Sequence, residues 1–276
     1  MSRVRALVVA SHPGPSLAIT ALTALLAAQA APHGAGPLLA APAMLALQLS
    51  IGWSNDAFDA GRDTAAGRRD KPLAVGSIGP RPVWAAAVAA VTAAVAMAFA
   101  LGVAAGIVTV VMAAAGWAYN AGLKSTLASG LMYLAGFGLV PVYATVTAPG
   151  HPWPRWAVIA AAALIGLGAH FANVLPDLAA DRATGVRGLP QRVAEAYGGD
   201  AAVRTCALVL LLGASVLLLL AARPGHRWIA AAGLGVAAVL AVAGARGGGR
   251  VPFGAAIGIA AVDVVLFAAG GEALTR

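Results

Sequence analysis

Apolar stretches of about 20 residues, the length a helix needs to cross the hydrocarbon core of a bilayer, recur nine times along this chain. They occupy roughly 15–31, 37–56, 82–103, 105–120, 128–147, 155–176, 201–221, 226–245 and 251–270. The third and fourth run together with only Gly102 and Gly106 between them, so their boundary is the least defined. Of the 276 residues, 61% are hydrophobic and 10% are charged. Soluble domains carry about 25% charged residues, so this chain has too few to coat a water-facing surface. Disorder is excluded by the same figures, because disordered segments are poor in apolar residues. The expected architecture is an all-α polytopic membrane protein, a single domain over 1–276. Abundant Gly and Ala suit helices that pack closely without a hydrophobic drive between them. The single cysteine, Cys206, leaves no disulfide framework and no Cys-based zinc site.

The first span has features of a secretory leader: Arg3 and Arg5 precede it, and Ala28-Gln29-Ala30 ends it. His12-Pro13-Gly14-Pro15 interrupts the run where a leader would be continuous, so a retained first helix is expected. Nine spans with the N-terminus inside place fourteen of the eighteen Lys and Arg on the cytoplasmic side. Only Arg155, Arg223, Arg227 and Arg276 fall outside. That asymmetry is the positive-inside pattern. It predicts a multi-pass protein of the cell (inner) membrane with a cytoplasmic N-terminus and an external C-terminus. The net charge of +8 is thereby explained by topology, without nucleic acid.

The ten acidic residues are scarcer and more informative. Five lie in two short stretches, Asn55-Asp56-Ala57-Phe58-Asp59-Ala60-Gly61-Arg62-Asp63 and Asp177-Leu178-Ala179-Ala180-Asp181. Asp59 to Asp177 and Asp63 to Asp181 are each 118 residues apart, and both stretches end an inward-running span ahead of a basic loop. At 100° per residue, positions 55, 59 and 63 share one helix face, as do 177 and 181; Asp56 lies off that face. Like charges four apart destabilise a helix, and a carboxylate in the apolar core costs about 2.5–3.5 kcal/mol on insertion scales. A compensating cation is therefore expected. Oxygen donors without His or Cys favour Mg²⁺, which binds one or two carboxylates and fills its shell with water and substrate phosphates. Arg68, Arg69, Lys71, Lys124, Arg182 and Arg187 are near enough in sequence to neutralise phosphate oxygens. Solvated helix ends offset by arginines are the alternative reading of these aspartates.

With Asn55-x3-Asp59-x3-Asp63 and Asp177-x3-Asp181, the chain resembles the UbiA-type superfamily of intramembrane aromatic prenyltransferases. Arg69-Asp70-Lys71-Pro72-Leu73 with Gly76 is similar to that family's basic loop, and Tyr119 with Lys124 to its tyrosine–lysine element. The resemblance implies about nine transmembrane helices in one bundle, with a central cavity open near the cytoplasmic side. It implies transfer of an isoprenyl group from its diphosphate to an aromatic or other lipophilic acceptor. Mg²⁺ would be held by Asn55, Asp59, Asp63, Asp177 and Asp181. Asn55, Arg68, Lys71, Lys124 and Arg182 would bind the diphosphate, with Asp59, Asp63, Asp177, Asp181 and Lys124 central to catalysis. Trp117, Tyr119, Tyr133, His170 and Asn173 are candidates for the isoprenoid or acceptor pocket; Trp53 and Phe171 could also shield a carbocation. Gly185 stands where some members have a third Asp.

Two other readings share parts of this pattern. A terpene cyclase resembling the same superfamily would use the same motifs without a separate acceptor. A cation-coupled transporter would place its carboxylates near the midplane on broken helices, whereas these lie at cytoplasmic ends. Asp263, near the middle of the ninth span, is either functional or hydrogen-bonded to a polar residue of another helix. His170, seven residues before Asp177, would share its face on a continuous helix. Glu195, Asp200 and Glu272 read as solvated.

Overall fold

The computed structural model describes residues 1–31 and 36–269. Twelve α-helices form there, and no strand occurs among the described residues. They are α1 (Arg3–Ala10), α2 (Pro13–Ala30), α3 (Gly36–Ala65), α4 (Pro80–Leu101), α5 (Val103–Asn120), α6 (Ser129–Val146), α7 (Trp156–Val174), α8 (Leu178–Ala183), α9 (Leu189–Tyr197), α10 (Asp200–Ala221), α11 (Arg227–Arg246) and α12 (Val251–Ala269). Each of the nine expected spans coincides with one of the nine long helices. Five of them, α4, α5, α6, α7 and α10, are long and apolar enough to cross a bilayer, as is Pro224–Arg246, which contains α11. α1 and α2 qualify together as one span bent by 60°. α3, with Gln48, Ser50, Ser54 and Asn55 among its apolar residues, and α12 form without meeting that test. The chain is a multi-pass helical membrane protein, and its described residues include six such spans, or seven counting the bent pair.

The break between α4 and α5 falls at Gly102. Its φ of 138° suits glycine, and a Cβ there would sit 3.2 Å from the His151 ring. The expected third span, 82–103, therefore ends two residues early, at Leu101.

The helices group into two compact units, residues 1–122 with 146–151, and residues 123–145 with 152–276. In the first unit α3 is the central element, packed against α1, α2, α4 and α5. Polar side chains tie it to its neighbours, as expected where apolar packing alone cannot distinguish helix from lipid. Ser50 Oγ donates to the Ala87 carbonyl at 2.8 Å, and Trp117 Nε1 donates to Ser50 Oγ at 3.0 Å. Asn120 Nδ2 donates to Ser54 Oγ at 2.8 Å and to the Ile51 carbonyl at 2.9 Å. Trp53 Nε1 reaches back to the Leu7 carbonyl of α1 at 2.9 Å. Gly52 lies flat against Ser11, whose backbone would collide with any Cβ at that position. This close approach seats the α1–α2 bend beside the acidic stretch of α3.

In the second unit α10 is central, against α7, α9, α11 and α12. The buried Ser215 hydroxyl of α10 donates to Asp263 Oδ1 of α12. Asp263 thus meets a serine of another helix through Oδ1, as the second of its two expected readings has it, while its Oδ2 is buried without a hydrogen-bond partner. Trp153, Trp156 and Trp228 are 66%, 73% and 71% exposed. They lie at the ends of α7 and α11 remote from the Asp177 turn, where amphipathic aromatics suit the headgroup region. Exposed Val and Ile along α4, α5, α11 and α12 form the apolar surface that a lipid environment covers.

Candidate active site

α3 continues without interruption through Ala65, so Asn55, Asp56, Asp59 and Asp63 all project from one helix. The three aspartates are 2%, 8% and 6% exposed, which excludes solvated helix-end residues. Asp56 points away from the 55–59–63 face, as the periodicity requires, and closes a contact the sequence did not disclose. Its Oδ1 accepts from Lys71 Nζ at 2.7 Å and lies 2.8 Å from His12 Nε2. Lys71 Nζ and His12 Nε2 are themselves 3.2 Å apart. His12 sits at the α1–α2 bend with a left-handed φ of 52°, an unusual conformation for a residue other than glycine. Asp56 Oδ2 is buried without a hydrogen-bond partner.

Asp59 Oδ2 accepts from Arg62 Nη2 at 2.8 Å. Burial pushes the Asp63 carboxyl above the usual range; Lys71 opposes this, while neighbouring Asp59 adds to it. Arg68 forms a two-pronged pair with Asp70 at 3.0 and 2.9 Å, and these bonds hold the Asp70 carboxyl down to about 2. Two of the expected diphosphate ligands thus rest on aspartates, Arg68 on Asp70 of the same loop and Lys71 on Asp56 of α3.

The second acidic stretch is built differently. α7 ends at Val174, and Leu175–Asp177 form a turn containing Pro176, which has no N–H to continue the ladder. Asp177 lies in that turn, and the Asp181 amide donates to its carbonyl at 2.8 Å, starting the short α8. The four-residue spacing of Asp177 and Asp181 therefore survives. The expectation that His170 shares a face with Asp177 does not, because the helix carrying His170 stops between them. His170 is 2% exposed, is 3.0 Å from Ser129 Oγ through Nε2, and stacks on Tyr133 at 4.3 Å between centroids. Asn173 is exposed on α7. Of the other pocket candidates, Trp117 holds Ser50 and tilts against Trp84 at 5.8 Å, and Tyr119 follows on α5. Lys124 lies in a 3₁₀ turn, Leu123–Ser125.

Arg182 is exposed on α8, and Arg187 pairs with Glu195 at 2.6 Å. That pair is at the surface, where such contacts contribute little to stability. Asp181 Oδ2 accepts from Gln191 Nε2 of α9 at 2.7 Å. His12 and Gln191 are the residues the sequence left unassigned. A lone histidine beside a Pro-Gly-Pro turn and a glutamine after a proline carry no local pattern that marks them.

The donor chemistry fits Mg²⁺. Every candidate ligand is an oxygen, the first-motif carboxylates are buried, and Asp56 Oδ2 beside them has no hydrogen-bond partner. Among the described residues no three His, Cys, Asp or Glu side chains converge into a protein-only metal cage. An ion that takes one or two carboxylates and completes its shell with phosphate is the one this arrangement suits.

Fold and site thus define an all-α membrane protein whose acidic chemistry is concentrated at two helix ends. The chain belongs to the UbiA prenyltransferase family, whose model matches residues 16–250, and is a prenyltransferase by class. No curated protein matches it in sequence. Solved structures share its fold. One of digeranylgeranylglyceryl phosphate synthase aligns with a TM-score of 0.74 at 14% identity, covering 98% of this chain and 99% of that one. A UbiA homologue from Archaeoglobus fulgidus bound to GPP and Mg²⁺ gives 0.70 at 14% identity, covering 96% and 98%. An apo UbiA homologue from Aeropyrum pernix K1 gives 0.66 at 20% identity, covering 96% and 99%.

Proposed function

We propose that this chain, acting as one prenyltransferase domain over 1–276, transfers an isoprenyl group from an isoprenyl diphosphate to a lipophilic, aromatic acceptor and releases diphosphate. The observation that carries this reading is the pair of Asp-x3-Asp stretches, buried on α3 and turn-mounted at α8, in a member of the UbiA family. A similar fold has been solved with GPP and Mg²⁺ bound. Asn55, Asp59, Asp63, Asp177 and Asp181 are the proposed Mg²⁺ ligands. Bound Mg²⁺ stabilises negative charge developing on the leaving diphosphate. Arg68, Lys71, Lys124 and Arg182 meet the remaining phosphate oxygens. For Arg68 this means exchanging the exposed Asp70 for phosphate, while Lys71, with three N–H donors, can keep Asp56 and offer phosphate a remaining one. Trp117, Tyr119, Tyr133, His170 and Asn173 form the isoprenoid and acceptor pocket, where exclusion of water protects an allylic cation until the acceptor attacks. In the membrane the chain spans nine times, N-terminus cytoplasmic and C-terminus external, with the bundle's cavity open to the cytoplasmic side.

The test is product analysis with purified protein, Mg²⁺ and isoprenyl diphosphates of several lengths. Aromatic and glyceryl phosphate acceptors are supplied in turn, with one arm lacking any acceptor. A prenylated aromatic product is expected. Prenylation of glyceryl phosphate alone would reassign the acceptor. A cyclic hydrocarbon formed equally well without acceptor would replace transfer by cyclisation.

A further inference from the structure

We propose that Gln191 is a positioning residue for Asp181, fixing one carboxylate oxygen so that the other addresses the metal. This rests on the proposed role of Asp181 as a Mg²⁺ ligand. Gln191 lies in the first turn of α9 and is 2% exposed. Its Nε2 donates to Asp181 Oδ2 at 2.7 Å, while its Oε1 is buried without a partner. Burying an amide with half its hydrogen bonds unmade is unfavourable. A leucine of similar volume would fill the site without that penalty. What glutamine does there, and leucine cannot, is donate to Asp181.

Asp181 stands on α8, which is only six residues long and follows a proline turn. α9, by contrast, is anchored at its start. The Leu189 amide donates to Ser129 Oγ at 2.8 Å, and that fully buried hydroxyl is also 3.0 Å from His170 Nε2. Gly188 makes this seat possible. A Cβ there would lie 2.5 Å from the Lys124 carbonyl, 2.9 Å from Ser129 Oγ and 3.0 Å from Gln191 Oε1. One junction therefore joins Asp181, through Gln191 and the α9 start, to Ser129 and His170. Groups that hydrogen-bond metal-ligating carboxylates commonly set metal affinity, and losing one costs about 10–100-fold.

The test measures Mn²⁺ binding to the full-length protein by electron paramagnetic resonance, and separately the Mg²⁺ concentration giving half-maximal diphosphate release. Gln191→Leu is expected to weaken Mn²⁺ binding about 10–100-fold. The Mg²⁺ requirement should rise in parallel, with turnover recovered at high Mg²⁺. Gln191→Met keeps the unbranched shape and carries the same expectation should the leucine variant fail to fold. A purely structural glutamine would lower the unfolding temperature and leave both metal constants unmoved, which would overturn the proposal. Asp181→Ala separates the two layers. Weaker Mn²⁺ binding in Asp181→Ala but not in the Gln191 variants retains the metal site and rejects positioning. Unchanged Mn²⁺ binding in Asp181→Ala rejects both.

Discussion

Alanine at Asp59 or at Asp177 is expected to slow diphosphate release from an isoprenyl diphosphate by about 10²–10³-fold at saturating Mg²⁺, the scale on which a single preorganised group stabilising transition-state charge contributes. The leaving diphosphate gains negative charge as its carbon–oxygen bond breaks, and in the proposed mechanism the carboxylates would hold the cation that meets that charge. The loss should appear in kcat more than in KM, because the interaction strengthens as the bond breaks. Folding should be little affected by Asp59→Ala. Its ion-pair partner Arg62 is three residues away on the same helix and 36% exposed, and such pairs are worth a few tenths of a kcal/mol. Asp177 lies exposed in a turn, so its replacement also leaves the core intact. Stopped-flow or coupled measurement of diphosphate, beside a thermal unfolding curve for each variant, reads both quantities. Wild-type rates in both variants would remove the carboxylates from the mechanism.

Asp56→Ala should do the opposite, damaging the fold first. Asp56 is 2% exposed and its Lys71 partner 15%, so removal strands a largely buried ammonium beside His12. Breaking a buried pair on one side costs about 3–5 kcal/mol, and the lower end is expected because Lys71 retains some access to water. Removing both charges is milder, since no unpaired ion remains: Asp56→Ala combined with Lys71→Met should recover part of the lost stability. Equilibrium unfolding in mixed micelles, with the double variant completing the cycle, measures the coupling. If Asp56→Ala unfolds no more readily than the wild type, the His12–Asp56–Lys71 contact does not hold the α1–α2 bend to α3.

The two aspartates differ because they lie on different faces of one helix, and that much is legible in the sequence. Spacing by four places 55, 59 and 63 together and sets Asp56 aside. The helix positions are legible too, since uninterrupted apolar runs leave the backbone little alternative in lipid. What escapes such reading is long-range and specific. His12 and Asp56 are 44 residues apart. They meet because Gly52 lets the Ser11 backbone approach α3, which no local pattern announces. Periodicity misled at His170, where Pro176 ends the register that would have aligned it with Asp177. Gln191 was invisible for another reason. A buried glutamine looks like any surface glutamine until its neighbours are known, and its partner Asp181 belongs to a separate short helix.

In the proposed reaction the chain breaks an isoprenyl diphosphate in a metal-dependent step carried by its two acidic stretches. The most direct test follows diphosphate release from GPP by the purified wild-type protein, first with Mg²⁺, then after chelation, then with Mg²⁺ restored. Release that stops on chelation, resumes on restoration and is lost in Asp59→Ala and Asp177→Ala is the predicted result. Release that continues at the same rate after chelation would contradict it.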